Sequence, residues 1–437
     1  MKIRIDKIGI NGEGIGYIDS KPVFVKGALP NELVEAKITL KERNYSKAEC
    51  VKVIKASKER IKPLCPYYER CGACQLMHLD YEAQLRYKVE ILKEALYKYA
   101  DIDDSLIEDI IRNDDIFGYR NSLKLPITSI KGKLVSGLYE NESNHILKVD
   151  ECLIHDKDIE RVKKNVLNVL NKYAYNAYNF KDKTGIRALA IRKIDDSISL
   201  VIVSGNTQIN KECIDDLSKI KGLKSIYQSI HTTKSHEFFG NQMIHLYGSK
   251  YITFKFNNLK MNLSARSFFQ LNTKQAIKLY NVIRDEVKEN QDVIFEAYSG
   301  IGAISLILSD KASKIIGVES IADAVNNANK NARDNNIENV SFECDDAAIS
   351  LKRHAKKMKI DTLVVDPPRV GLDDDMLETI LKSKIKNIIY VSCNPATLAK
   401  NLSILKSRYQ IKKIIPLDMF SNSAHIESIT VLKYKKY

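Results

Sequence analysis

Three segments of this chain end in residues that could act together on one ligand. Tyr390-Val391-Ser392-Cys393-Asn394-Pro395 sets a thiol at the end of an apolar run, where a strand would stop and aim it out of a sheet. Asp366-Pro367-Pro368-Arg369 ends a second such run, and Gly300-Ile301-Gly302 a third. Proline fixes φ, so the first two loops are stiff. Methylation of an amino group, which also uses an Asn/Asp-Pro-Pro loop, needs no cysteine. A pyrimidine carbon does need one, because that carbon is poorly nucleophilic. Thiolate addition to carbon 6 makes carbon 5 enolate-like, and a base must then remove the carbon 5 proton before the thiolate can leave. Glu427, in Ser423-Ala424-His425-Ile426-Glu427-Ser428, precedes the last apolar run and can serve as that base. Singly, a cysteine ending a strand is most often inert packing, and a glutamate before a strand is most often solvated. Their convergence on one sheet edge favours chemistry.

A nucleotide is the expected neighbour. Phe295-Glu296-Ala297-Tyr298-Ser299-Gly300-Ile301-Gly302 follows a strand and opens a helix, with glycines that let the backbone approach a ligand. It lacks the third glycine of a dinucleotide fingerprint and is weak alone. Glu319 ends the next strand about 20 residues on, where a carboxylate accepts from both ribose hydroxyls. Cys344-Asp345-Asp346 ends the third strand, near where an adenine would lie. The two aspartates read equally well as a helix-cap pair. The series fits a Rossmann-like S-adenosylmethionine site. A nicotinamide enzyme competes, and the Asp-Pro-Pro loop favours methyl transfer by its likeness to methyltransferases.

The elements that must position these residues are legible in the pattern. From about residue 263, buried apolar strands alternate with helices, which predicts a doubly wound parallel sheet over 263–437. Residues 1–57 read as short strands and glycine turns, a small β-barrel rich in lysine and arginine. Residues 58–78 carry clustered cysteines, and 80–99 have helical spacing at Leu85, Val89, Leu92 and Leu96. Strand-like runs from 118 to 262 predict a mixed α+β domain. The expected architecture is therefore multidomain α/β.

Composition limits the partners. The 437 residues suffice for two or three domains, and 44% apolar content is ordinary for a globular protein. No apolar run of 18 residues predicts a transmembrane helix, and the first residues lack a signal-peptide core, so a cytoplasmic protein is expected. The net charge of +14 and pI near 9.1 favour a nucleic acid partner. Eight cysteines in such a chain point to metal or catalysis. Cys65, Cys71 and Cys74 form Cys-x5-Cys-x2-Cys, which suits an iron–sulfur cluster with a distant fourth ligand or zinc. Cys50, Cys152, Cys213 and Cys344 compete for the fourth place. Tyr119-Arg120-Asn121, with Lys124 nearby, suits stacking and phosphate contact.

Phe268-Phe269-Gln270-Leu271-Asn272, Tyr298-Ser299-Gly300-Ile301-Gly302, Asp366-Pro367-Pro368-Arg369, Ser392-Cys393-Asn394-Pro395 and His425-Ile426-Glu427-Ser428 resemble the motifs of the RNA uracil-5-methyltransferase family. Residues 1–57 resemble a TRAM domain, an OB-like RNA-binding module. The resemblance implies that Gln270, Tyr298, Gly300, Glu319 and Asp366 contact S-adenosylmethionine. It makes Cys393 the nucleophile and Glu427 the proton acceptor. Phe268 would lie against a flipped base, and Tyr119, Arg120 and Asn121 would meet RNA. It selects Cys152 to join Cys65, Cys71 and Cys74 around a 4Fe–4S cluster in a central domain, 58–262, as in the branch that modifies 23S ribosomal RNA. The transfer-RNA branch lacks these cysteines. A monomer acting on 23S ribosomal RNA is the expectation. Glu296 departs from the family, which commonly has aspartate there.

Overall fold

The computed structural model describes residues 1–141, 143–235 and 237–435. The chain falls into two compact units, Met1–Ile116 with Asp366–Tyr437, and Phe117–Val365.

In the first unit, six strands wrap a core of Ile3, Ile5, Val23, Val25, Val34 and Ala48. The sheet closes because Gly16 has no side chain: a Cβ there would lie 2.2 Å from the carbonyl oxygen of Arg4. Asp6 N donates to Ile15 O across the seam, at 2.9 Å. A barrel forms as the glycine-rich sequence suggests.

Helix Tyr81–Ala100 starts at Asp80, whose side chain accepts from Ala83 N. It packs against helix Pro395–Leu405, both helices burying leucines: Leu85, Leu92 and Leu96 on one, Leu398, Leu402 and Leu405 on the other. Strand Asn387–Ser392 pairs antiparallel with Glu427–Tyr434, which pairs antiparallel with Tyr409–Leu417. The last of these carries Lys412, Lys413 and Pro416, which break the apolar alternation, and a bulge between Ile411 and Lys413. Its outer side is covered by residues 107–111 through the Glu108 N to Ile414 O and Ile111 N to Pro416 O bonds. The expected all-parallel order thus gives way here to antiparallel strands, the final one returning alongside the Cys393 strand.

The second unit holds a seven-stranded mixed sheet, in which only Ser197–Ser204 and Leu223–Ile230 run parallel. Helices Lys157–Lys172 and Lys211–Ser218 pack on one face, over Leu123, Leu125, Leu189, Ile191 and Leu200. Hairpin Tyr251–Phe256 and Leu259–Ser264 follows. Four parallel strands then stand in the order Val340–Cys344, Ala312–Glu319, Gln291–Ala297, Thr362–Val365. These are the buried apolar runs of the sequence.

Candidate active site

Cys393 follows strand Asn387–Ser392 and precedes helix Pro395–Leu405, whose cap is Asn394. Proline at the first helical position suits a turn whose N–H would be unpaired anyway. The Asp366 loop is tied to this turn. Asn394 Nδ2 and Thr397 Oγ1 donate to Arg369 O at 3.1 and 3.2 Å. Asn401 accepts from Leu372 N at 2.9 Å and from Tyr390 Oη at 2.7 Å, and donates to Leu372 O at 3.1 Å. One buried amide thus fixes the Asp-Pro-Pro loop against the Cys393 strand and helix.

Glu427 opens strand Glu427–Tyr434, with Ser428 opposite Ser392 in the antiparallel ladder, so the register carried one residue further sets Glu427 opposite Cys393. It is 8% exposed. Burial is the first cause that pushes its carboxyl up to about 8, Asp366 adding to the effect and Arg369 opposing it. Asp366 is pushed up to about 7 by burial alone. Burial, then Glu427, then Asp366 raise the Cys393 thiol to about 11, against the pull of Arg369. Three acidic groups therefore crowd one dry site with a single guanidinium beside them. His425 Nδ1 accepts from Arg369 Nη2 at 3.3 Å. Burial, then Arg369 and Lys88, hold His425 down to about 4, so it is a neutral acceptor at physiological pH.

The segment that leads into Glu427 is anchored to helix Tyr81–Ala100. Lys88 and Asp418, both fully buried, pair at 2.5 Å. Lys88 Nζ also reaches Phe420 O at 3.0 Å, and Tyr81 Oη and Ser421 Oγ each donate to Asp418 at 2.8 Å. Gln84 takes Asn422 N at 2.8 Å, and Leu76 N donates to Asn422 O at 2.9 Å. Lys88→Met leaves Asp418 buried without its cation and is expected to cost about 3–5 kcal/mol. Urea unfolding of Lys88→Met and of the Lys88→Met/Asp418→Leu double variant checks this, the double variant recovering most of the loss.

In the second unit, strand Gln291–Ala297 ends at Tyr298, which takes a left-handed φ of 63°. Such backbone costs on the order of 1 kcal/mol or more and is kept where a site needs it. Gly300 N donates to Glu319 Oε2 at 3.1 Å, and Ile321 N to Oε1 at 3.0 Å, so the carboxylate is oriented by backbone at the loop's side. Gly302 has φ 81°, and a Cβ there would lie 2.4 Å from the Phe342 ring. Ser299 Oγ is buried without a partner among the described residues, and the space over Gly300 is open. An orphan hydroxyl, an aimed carboxylate and a bare backbone turn fit a nucleoside-bearing ligand. Glu296 is turned to structure, accepting from Ser305 N at 2.7 Å and from its hydroxyl. Asp346 caps helix Ala347–Ala355 and Asp345 pairs with Arg353 at 2.7 Å, which is the helix-cap reading.

Phe268 and Phe269 divide the work of one turn. Phe269 is buried against Phe254 and Phe256, at centroid distances of 5.1 and 5.4 Å. That anchoring leaves Phe268 66% exposed. Asn121 holds the same turn: its N donates to Leu271 O at 2.8 Å and its Nδ2 to Gln270 O at 3.0 Å. Asn121 and Tyr119 are buried, so neither offers the exposed contact surface that the sequence suggests. Arg120 is half-buried, its Nε donating to Ser122 O at 3.1 Å.

Cys65, Cys71 and Cys74 lie around the short helix Tyr68–Cys71, which ends at left-handed Gly72. Burial first raises the Cys71 thiol, and Cys65 adds to this, so these two are neighbours. All eight cysteines are outside disulfides. Among the described residues no group of three or more His, Cys, Asp or Glu side chains is gathered closely enough to hold a metal ion. The three-cysteine loop has the thiolate chemistry for iron. Nor does any helix among the described residues have the length and apolar character to cross a membrane.

Residues 80–435 match the family described as tRNA (uracil-5-)-methyltransferase, and residues 1–51 match the TRAM domain. An uncharacterized RNA methyltransferase of Halalkalibacterium halodurans is 36% identical over 444 residues, covering 99% of this chain and 96% of that protein. One from Listeria innocua is 36% identical over 443 residues, covering 100% and 98%. Among solved structures, the Pyrococcus abyssi tRNA (uracil-54, C5)-methyltransferase in complex with S-adenosyl-L-homocysteine shares the fold with a TM-score of 0.77 at 23% identity, covering 99% of this chain and all of that one.

Proposed function

Since this chain belongs to the tRNA (uracil-5-)-methyltransferase family and carries a TRAM domain, we propose that it moves a methyl group from S-adenosylmethionine to carbon 5 of uridine in RNA. The observation that carries the reading is the thiol of Cys393 set beside Glu427 and Asp366. S-adenosylmethionine, when bound, supplies an electrophilic methyl group, and Gln270, Tyr298, Gly300, Glu319 and Asp366 are the residues to hold it. The Cys393 thiolate bonds to carbon 6 of uridine, and the electron pair of the 5,6 double bond shifts towards carbon 5 and the adjacent carbonyl. Carbon 5 would then bond to the donor's methyl carbon as the methyl–sulfur bond of the sulfonium breaks, the sulfur keeping the electron pair and leaving as the thioether S-adenosylhomocysteine. Glu427 removes the carbon 5 proton, the carbon–sulfur bond breaks, and the thiolate and double bond are restored. Phe268 lies against the base, which must leave its stack to be reached. Arg120 is the residue of its segment left to meet RNA, with Tyr119 and Asn121 shaping the turn behind it. Parts 1–57 and 58–262 present the RNA, and 263–437 carries the chemistry.

The finer substrate is 23S ribosomal RNA, on the strength of Cys65, Cys71, Cys74 and Cys152 as ligands of a 4Fe–4S cluster that organises the RNA-binding part. Labelled methyl donor with purified 23S and transfer RNA is the test. Label in 23S RNA is expected, and label in transfer RNA alone overturns that substrate. Iron and acid-labile sulfide in the same protein, purified without oxygen, check the cluster, and their absence removes the reason for preferring ribosomal RNA.

A further inference from the structure

The second unit spends carboxylates freely on its half-buried cations. Lys193 holds Asp156 and Asp158 at 3.0 and 2.7 Å, and buried Lys163 holds Glu160 at 2.5 Å. Among the described residues, three cations nearby receive none. Strands Ser122–Ile130 and Ile186–Ile194 pair with Arg192 opposite Ser122 and Ala190 opposite Lys124. Strand alternation sends Leu123, Leu125, Leu189 and Ile191 to the core and puts Lys124 and Arg192 together on the other face. Ala188, Ala190 and Ser199 around them are small and leave room. Lys124 Nζ sits 5.2 and 5.0 Å from the ring centroids of Phe238 and Phe239, which meet edge to face at 5.2 Å. Neither Arg192 nor Lys124 has an ion-pair partner among the described residues. Burial lowers the Arg192 guanidinium to about 10, and burial, Arg192 and Arg120 all lower Lys124, with no carboxylate opposing. Holding like charges together in half-dry surroundings is unfavourable unless an anion joins them.

We propose that Lys124 and Arg192, with Arg120 beside them and Phe238 and Phe239 as an aromatic wall, form a binding site for a backbone phosphate of the RNA strand and the nucleoside next to it. This rests on the RNA reading above. RNA fits better than free phosphate for two reasons. Flat rings beside cations suit a nucleotide, which has a π face as well as a charge. The site also begins three residues after Asn121, which grips the turn presenting Phe268. At about 3.3 Å per strand residue, that places it roughly 10 Å along the chain from the base-facing turn, within the span of a short oligonucleotide.

The test is the salt dependence of RNA affinity, measured by fluorescence anisotropy with wild type, Arg192→Met, Lys124→Met and Arg192→Lys. Each methionine variant is expected to raise Kd roughly tenfold and to flatten the slope of log K against log salt by about 0.7. Arg192→Lys keeps the wild-type slope. Unchanged Kd and slope in Lys124→Met, at an exposed position of its strand, overturns the site even if Arg192→Met fails to fold. Titration with inorganic phosphate separates the sources. Phosphate affinity that falls in the variants while the RNA slope stays put means free phosphate and overturns the RNA assignment. Trapping of wild type on 5-fluorouridine RNA is read separately. Its failure would count against uridine methylation, whereas the slopes report on the phosphate site alone.

Discussion

Cys393→Ser lowers methyl transfer by at least about 10⁴-fold and abolishes the covalent complex with 5-fluorouridine RNA. Serine keeps the shape but not the reactivity, since an alcohol at this position has neither the acidity nor the softness to add to carbon 6. The loss is large because the step it removes is the one that makes carbon 5 a nucleophile, and residues acting as a unit are lost nearly completely when one goes. The site also explains why the wild-type thiol is held back when alone. With burial, Glu427 and Asp366 raising it to about 11, only a small fraction is thiolate at neutral pH, and that fraction grows about tenfold per pH unit. Alkylation of Cys393 by iodoacetamide, followed by peptide mass, therefore accelerates steeply from pH 7 to 10 in the absence of RNA. Methylation by Cys393→Ser within tenfold of wild type would remove covalent catalysis, and with it the reason for the thiol's place at the strand end.

The candidate residues of each unit are visible before folding because they sit at the ends of apolar runs. Cys393, Asp366 and Gly300 come just after largely buried strands and Glu319 ends one, so sequence pattern alone brings them to strand ends. What supports them is harder to see. Asn401 lies on the buried stripe of its helix between Leu398 and Leu402, and Lys88 lies between Leu85 and Leu92. A polar or charged residue at core spacing was the available signal, since a buried polar group must be partnered. Neither partner can be read from spacing: Asp418 is 330 positions from Lys88, and Leu372 is 29 from Asn401. Strand Tyr409–Leu417 was missed because its lysines and proline mask the period. Tyr119 and Asn121 show how tertiary bonds stay out of sight in a loop. An aromatic and an amide in a glycine-led loop look exposed, yet the backbone of Asn121 is spent on Leu271 and its side chain on Gln270 and Thr273.

Glu427→Gln traps the enzyme on its substrate. The amide cannot take the carbon 5 proton, so adduct forms, methyl transfers, and elimination stalls, with turnover falling about 10²–10⁴-fold. Removing the carboxyl also removes one of the groups that raise the Cys393 thiol, so addition in the variant is not slower than in wild type. Denaturing gel electrophoresis with labelled RNA should therefore show a methylated protein–RNA band with natural uridine, which wild type does not accumulate. The wild-type pH profile follows from the same carboxyl. Glu427 is pushed up to about 8, and only its ionised form accepts a proton, so elimination climbs through pH 8 and levels above it, whereas an ordinary glutamate would already be level at pH 6. Single-turnover release measured from pH 6 to 9.5 distinguishes the two. A flat release rate, with Glu427→Gln turning over like wild type, would hand the proton to another group, and Asp366, raised by burial to about 7 beside the same thiol, is the next carboxylate able to take it.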